Sequence, residues 1–361
     1  MDIRGLFGGK SSTAAGGKKK TAGDDAVYYY GRQLSGVDHI VYSQLVLGLK
    51  KMEPKIGLYG GDFDSVSRIS QLVLADHPEI FWFAGAGQVT QKGSQLFFSP
   101  FYTMSEGVKN SRQKQLEQAA KSFKRSVRGR KTSYDRLEAA FTWLVKNTTY
   151  VDGAPDNQNI CSVFLNHKSV CAGYAKSLQY LLQSVGIECL YVWGDVIGKG
   201  RHGWNIVNLD GAYYQTDVTL GDRSFSDGTS VGNGLPAELE AEYGYMCMTD
   251  EEARRDRIEN VTELGVTLPA CISTAMNYYR RNNLFFAGGA QGAWINMEQR
   301  LSKGQTSWCY QFASEYEYDM FLQDIDGGRF TDLALRHLKK NRVSTCTSSI
   351  PSLYVVIGWV R

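Results

Sequence analysis

The stretch Gly200-Arg201-His202-Gly203-Trp204-Asn205-Ile206-Val207-Asn208-Leu209-Asp210-Gly211-Ala212-Tyr213-Tyr214-Gln215-Thr216-Asp217 reads as a β-hairpin. Asp210-Gly211 is a strong signal for a two-residue turn, because both central positions of that turn favour positive φ. Pairing across it sets 205–209 against 212–216. His202 and Asp217 then fall near the same end of one hairpin, close enough for a carboxylate to hold an imidazole by one ring nitrogen.

Upstream, Ser169-Val170-Cys171-Ala172-Gly173-Tyr174-Ala175 opens an apolar helical pattern that continues through Leu178, Leu181, Leu182 and Val185. The spacing predicts a helix from Cys171 to about Gln183. A thiol in the first turn of a helix feels the positive end of the dipole, and a nearby imidazolium favours the thiolate further. The free N–H groups of that turn also suit the oxyanion of an acyl-transfer intermediate. Ala172 and Gly173 are expected to keep the approach to the sulfur uncrowded.

Taken singly, each residue has a plainer reading. A cysteine is usually a small core hydrophobe. His202 is one of five histidines, at 39, 77, 167, 202 and 337, of which most cap or decorate a surface. Asp217 could simply end a strand. Thiol, histidine and carboxylate in that order and on those elements point instead to an activated cysteine nucleophile.

The rest of the chain sets bounds. Its 361 residues, 43% hydrophobic and 12% aromatic, are enough for about two domains with a full-sized core. A net charge of +3 gives no overall case for nucleic acid. The cysteines at 161, 171, 189, 247, 271, 309 and 346 form no CxxC pair and sit in apolar runs. That pattern suits free thiols in a reducing compartment and, with no apolar leader segment, an expected cytoplasmic location. No apolar run reaches about 18 residues, so no membrane span is expected. HExxH, GxxxxGK[ST] and a strand–helix GxGxxG are all missing, so neither a metal nor a cofactor is expected.

Four regions are expected. Residues 1–26, rich in Gly, Ser and Lys, form a disordered basic tail, and 27–104 an N-terminal α/β region. In that region helices at 36–52 and from Asp62 to before Pro78 flank a short strand at Ile56-Gly57-Leu58. Glu79–Phe83 and Gln95–Phe98 are predicted to pair as a hairpin around a glycine-containing connection. Residues 105–284 form a catalytic core that begins with a long basic helix capped by Ser105, read as a solvated outer face, and continues with a helix over 133–148. Residues 285–361 form a small α+β subdomain: a strand near Ser307–Phe312, a helix over about Glu315–Asn341 interrupted at Gly327-Gly328, and a closing strand over Leu353–Val360.

These motifs resemble the transglutaminase-like superfamily, in particular bacterial transglutaminase-core proteins. The matching segments are Asp156–Ile160, Ser169–Ala175, Gly186–Cys189, His202–Asn205 and Asp210–Thr219, with Met248–Glu252 and Leu268–Cys271 also similar. The resemblance implies an α+β, papain-like core in which a helix bearing the cysteine packs on an antiparallel sheet bearing the histidine and aspartate. Cys171 is then the nucleophile, His202 the base and acid, and Asp217 the orienting residue. Gln158 or Asn159 is the candidate second oxyanion donor, and Tyr174 and Trp204 are candidates for the substrate groove. The chain departs from the family in two places: Gly203 stands where alanine is common, and Leu220 where tryptophan is common.

The implied function is cysteine-dependent acyl transfer from an amide of a peptide or protein through a thioester. Water as acceptor makes a peptidase or amidohydrolase, the favoured outcome, and an amine makes a transglutaminase. The alternative is a non-catalytic module holding a peptide or glycan in the same groove.

Overall fold

The computed structural model describes residues 28–361, and the expected tail over 1–26 lies outside them. The N-terminal region builds a three-stranded antiparallel sheet. Helix α1 (Gly36–Lys50) leads through β1 (Ile56–Leu58) and α2 (Phe63–Asp76) to β2 (Phe83–Lys92) and β3 (Gln95–Tyr102), with strand order β1-β3-β2. The start of α2 is fixed by a capping box in which Asp62 and Ser65 satisfy each other's backbone N–H groups. Val41, Leu45, Leu49, Val66, Ile69 and Val73 from the two helices bury against Leu58 and Phe98 of the sheet.

The expected hairpin needs correction. Glu79–Trp82 is a turn rather than a strand, and β2 begins at Phe83 and includes the glycines expected to connect the two strands. Ile80, Phe81 and Trp82 are buried because the turn itself seats in the core, with Trp82 Nε1 donating to the Leu49 carbonyl at 2.9 Å. Gly87 belongs inside the strand because a Cβ there would collide with the Phe98 ring and the Ser99 carbonyl.

Helix α3 (Glu106–Ser126) buries Leu116, Ala120 and Phe123 and leaves Lys114, Lys121, Lys124 and Arg125 in solvent. Helix α4 (Ser133–Asn147) starts at a Thr132–Asp135 capping box and packs against α5 (Cys171–Ser184). The following sheet comprises β4 (Cys189–Val196), β5 (Gly200–Leu209), β6 (Ala212–Thr216) and β7 (Arg257–Glu259), in the order β6-β5-β4-β7, antiparallel throughout. The β5–β6 register pairs Asn205 with Thr216 and Leu209 with Ala212. Asp210 and Gly211 carry φ of 55° and 93°, as the turn demands.

Asn205 ties helix to sheet: its buried Nδ2 donates to the carbonyls of Ala175 and Leu190, both at 3.0 Å. Gln179 and Gln183 tie the other end of α5 to the carbonyls of Ala75 and Asp76. The helix bearing Cys171 is therefore held both to the sheet and to the N-terminal region.

The C-terminal region contains a four-stranded sheet, β8 (Phe285–Phe286), β9 (Ser307–Phe312), β10 (Thr345–Ile350) and β11 (Val355–Val360), in the order β8-β9-β11-β10. Helices α6 (Gln291–Ser302), α7 (Glu315–Asp326) and α8 (Arg329–Leu338) cover one face, so the expected long helix does break at Gly327-Gly328. Strand alternation divides β11 between two cores. Val355, Ile357 and Trp359 join α4 and α5, while Val356 joins Trp308, Phe321 and Phe330.

Candidate active site

Cys171 is the first residue of α5, half-buried, and follows an extended Val170 that offers no side-chain cap. The Gly173 and Tyr174 N–H groups donate to the Val170 carbonyl at 3.0 and 3.2 Å, and the N–H groups of Cys171 and Ala172 ahead of them have no intrahelical acceptor. Gly173 has a different role from the expected one. A Cβ there would overlap the Ser169 and Ser162 hydroxyls, which hydrogen-bond each other at 2.7 Å in a buried pocket. The glycine therefore admits close packing behind the helix rather than opening the way to the sulfur.

The hairpin brings His202 and Asp217 together. His202 is 6% exposed, and its Nε2 lies 2.9 Å from Asp217 Oδ2. Its other nitrogen is left free of Asp217, and Cys171 is among the groups that raise the pKa of the ring. The imidazole also stacks on Trp204, with centroids 6.2 Å apart and planes at 19°.

Asp217 is completely buried. Its Oδ1 accepts from the Leu220 backbone N–H at 3.0 Å, and its Oδ2 accepts from Arg257 Nη1 at 2.8 Å as well as from His202. Burial alone would raise this carboxyl. The charges of His202 and Arg257 outweigh that and hold it down at about 2. For His202 burial disfavours the cation, but the charge and hydrogen bond of Asp217, then Cys171, raise the imidazolium to about 9. The ring is therefore protonated at neutral pH.

Arg257 is the residue sequence reasoning missed. It is 1% exposed, donates through Nε to Asp256 at 2.8 Å and lies over the Trp204 and Tyr245 rings at 5.4 and 5.9 Å. It reaches Asp217 because β7 pairs with β4, placing Arg257 opposite Val196.

Two expected groove residues line no groove. Tyr174 and Trp204 are both 0% exposed. The Tyr174 hydroxyl lies 2.9 Å from both the Thr148 carbonyl and Asp222, with one proton shared between them, and Trp204 Nε1 donates to Gln215 Oε1 at 2.8 Å. They bury polar tips on internal partners, as buried tyrosine and tryptophan do. Of the two oxyanion candidates, Asn159 accepts from the Cys161 N–H with its side-chain oxygen, so that oxygen caps a short helix. Gln158 is exposed, and its carbonyl accepts from Lys176 at 3.0 Å.

Among the described residues no cluster of three or more His, Cys, Asp or Glu could hold a metal, and no helix is long and apolar enough to cross a membrane. Residues 121–218, which contain Cys171, His202 and Asp217, match the model of the transglutaminase-like superfamily. The chain carries a transglutaminase-like domain. A comparison with curated proteins finds no match.

Two solved structures are similar to this chain at low identity. One is a TGase, with 15% identity, 46% of this chain and 51% of that chain covered, and a TM-score of 0.28. The other is a Cytophaga hutchinsonii protein proposed to be a cysteine protease, with 13% identity, 37% and 61% coverage, and a TM-score of 0.27. This chain thus spans about half to three-fifths of their lengths, and overlaps at such scores carry no argument about its chemistry. The transglutaminase-like match ends at 218, short of Arg257.

Proposed function

We propose that this protein is a cysteine-dependent acyltransferase acting on amides of peptides or proteins, with hydrolysis as its principal outcome. The supporting observation is the bonded line from Arg257 through Asp217 to His202, whose ring is electrostatically coupled to Cys171 at the head of α5. It supplies a thiol, a proton carrier and a fixed counter-charge within one buried network.

In this reading Cys171 Sγ, as thiolate, attacks the amide carbonyl carbon. The first-turn N–H groups hold the developing oxyanion. Imidazolium His202 gives its proton to the leaving nitrogen, the C–N bond breaks and a thioester remains. Neutral His202 then takes a proton from water or an amine as that acceptor attacks, the C–S bond breaks, and Cys171 leaves as thiolate beside the restored imidazolium. Asp217 holds the ring by Nε2 throughout. The seven free cysteines suit work in a reducing compartment, which we extend to a cytoplasmic location.

Mass spectrometry of a peptide library with and without added primary amine tests this. A new N-terminus or an amide converted to acid, lost in Cys171→Ala, is expected. Amine incorporation with ammonia release moves the assignment to transglutaminase. Peptide retention with neither product makes the domain a binding module.

A further inference from the structure

Two aromatic pairs that carry lysines have members within electrostatic reach of Cys171. In one, Tyr191 and Trp193, both half-buried, stack with centroids 5.8 Å apart. Lys176 Nζ lies 5.0 Å above the Tyr191 ring. The Tyr191 ring crosses β5 where a side chain at Gly203 would otherwise stand, which explains the glycine in place of the commoner alanine. In the other, Tyr150 stacks on Phe225 at 3.8 Å, with Lys199 Nζ 4.9 Å from the Phe225 ring. Tyr150, Tyr191 and Lys176 all lie within electrostatic reach of Cys171.

Lys176 is the more informative of the two lysines. It sits five residues beyond Cys171, about 7.5 Å along the helix axis. Its ammonium donates to one backbone carbonyl, Gln158 O, and among the described residues no carboxylate pairs with it. One carbonyl and one ring face leave a half-buried charge uncompensated, a costly arrangement that an incoming anion relieves. Lys176 also lines a cavity of about 390 Å³, together with Phe81, Phe83, Asn157, Gln158 and Asp156, whose carboxylate is paired with Arg112 at 3.0 Å; the cavity is large enough for a substrate side chain. Burial pushes its ammonium down to about 8, with Cys171 the one group that opposes the shift.

We infer that Lys176 is a specificity residue whose ammonium binds a carboxylate of the peptide substrate close to the amide that Cys171 attacks. Tyr191 and Trp193 form the floor on which that part of the peptide lies. The inference rests on the acyl-transfer reading, and its test separates the two.

The probes are blocked hexapeptides of one scaffold, with Glu, Gln or Lys placed at each position in turn. The wild-type protein is expected to favour Glu over Gln by about tenfold in kcat/KM at one position, the scale of a charge-assisted hydrogen bond. In Lys176→Met that ratio falls to about one, in Lys176→Arg it persists, and in Lys176→Glu the position favours Lys. The same ratios are read by calorimetric binding to the Cys171→Ser protein, where no turnover is needed. A Glu-to-Gln ratio near one at every position, or one that Lys176→Met leaves intact, overturns the inference. Absent turnover with Lys176-dependent binding of the Glu peptides overturns the acyl-transfer reading and leaves the carboxylate site standing.

Discussion

Two aspartates buried to the same degree behave in opposite ways. Asp76, at the end of α2, is 1% exposed and Asp217 is 0% exposed. Asp76 is surrounded by neutral donors: the N–H groups of Tyr29, Tyr30 and Gly31 and the Tyr42 hydroxyl, at 2.7 to 3.0 Å. Burial raises its carboxyl despite the bonds from Tyr30, Gly31 and Tyr42 and the weaker pull of the His77 charge. Asp217 has one backbone N–H and two cationic neighbours, and is driven down to about 2. The number of hydrogen bonds does not decide the direction; cationic groups bonded directly to the carboxylate, as His202 and Arg257 are to Asp217, do. One carboxylate fastens a turn, and the other holds a charge beside a thiol.

The largest effect separates them by activity. Asp217→Asn is expected to reduce acyl transfer by about 10³- to 10⁴-fold, as when the orienting acid of a comparable triad is removed. Asp76→Asn leaves turnover per folded molecule unchanged. Steady-state rates on one cleavable peptide check both, and comparable losses in the two variants break the distinction.

Removing the second cation comes next. Arg257→Leu leaves the Asp217 charge buried with only His202 beside it, and is expected to cost about 3 kcal/mol of stability in urea unfolding. Asp76→Asn costs roughly 1–3 kcal/mol, because an amide group cannot accept from Gly31 and Tyr42 as a carboxylate oxygen does. A neutral result for Arg257→Leu would show that Arg257 is not needed to hold Asp217 ionised.

The smallest effect is a pair of opposite pH slopes. With Asp217 below its usual 3.8, its contribution is present above that value and is lost as pH falls through about 2. His202 lies above its usual 6.5, so its contribution is full below that value and is lost as pH rises through about 9. The advantage of wild type over Asp217→Asn should therefore peak between about pH 4 and 6.5. Asp76, raised, contributes most in acid and loses that contribution as pH rises above 3.8. Between pH 2 and 5 the two Tm differences should slope in opposite directions, and thermal melts of both variants will show whether they do.

Much of this frame is legible from local chemistry. Asp210-Gly211 fixes the hairpin register, the apolar spacing after Cys171 fixes α5, and Ser105 marks the start of α3. Burial and long-range pairing are not legible in the same way. Arg257 lies 40 residues beyond Asp217 on a three-residue strand with no periodic pattern. The Ile80–Trp82 run suggests a strand, but a turn buries it equally well. Helix α6 follows Ala290, which has no capping side chain, and β10 is a Thr/Ser-rich edge strand with little apolar alternation.

The central claim is that Cys171 is an activated nucleophile held in readiness by His202 and Asp217. Iodoacetamide labelling at pH 6, followed by peptide mapping, tests it most directly because it needs no knowledge of the substrate. The expected result is selective modification of Cys171 among the seven cysteines, abolished in His202→Ala. Slow, uniform labelling of the half-buried thiols, or labelling of Cys171 unchanged by His202→Ala, would contradict it.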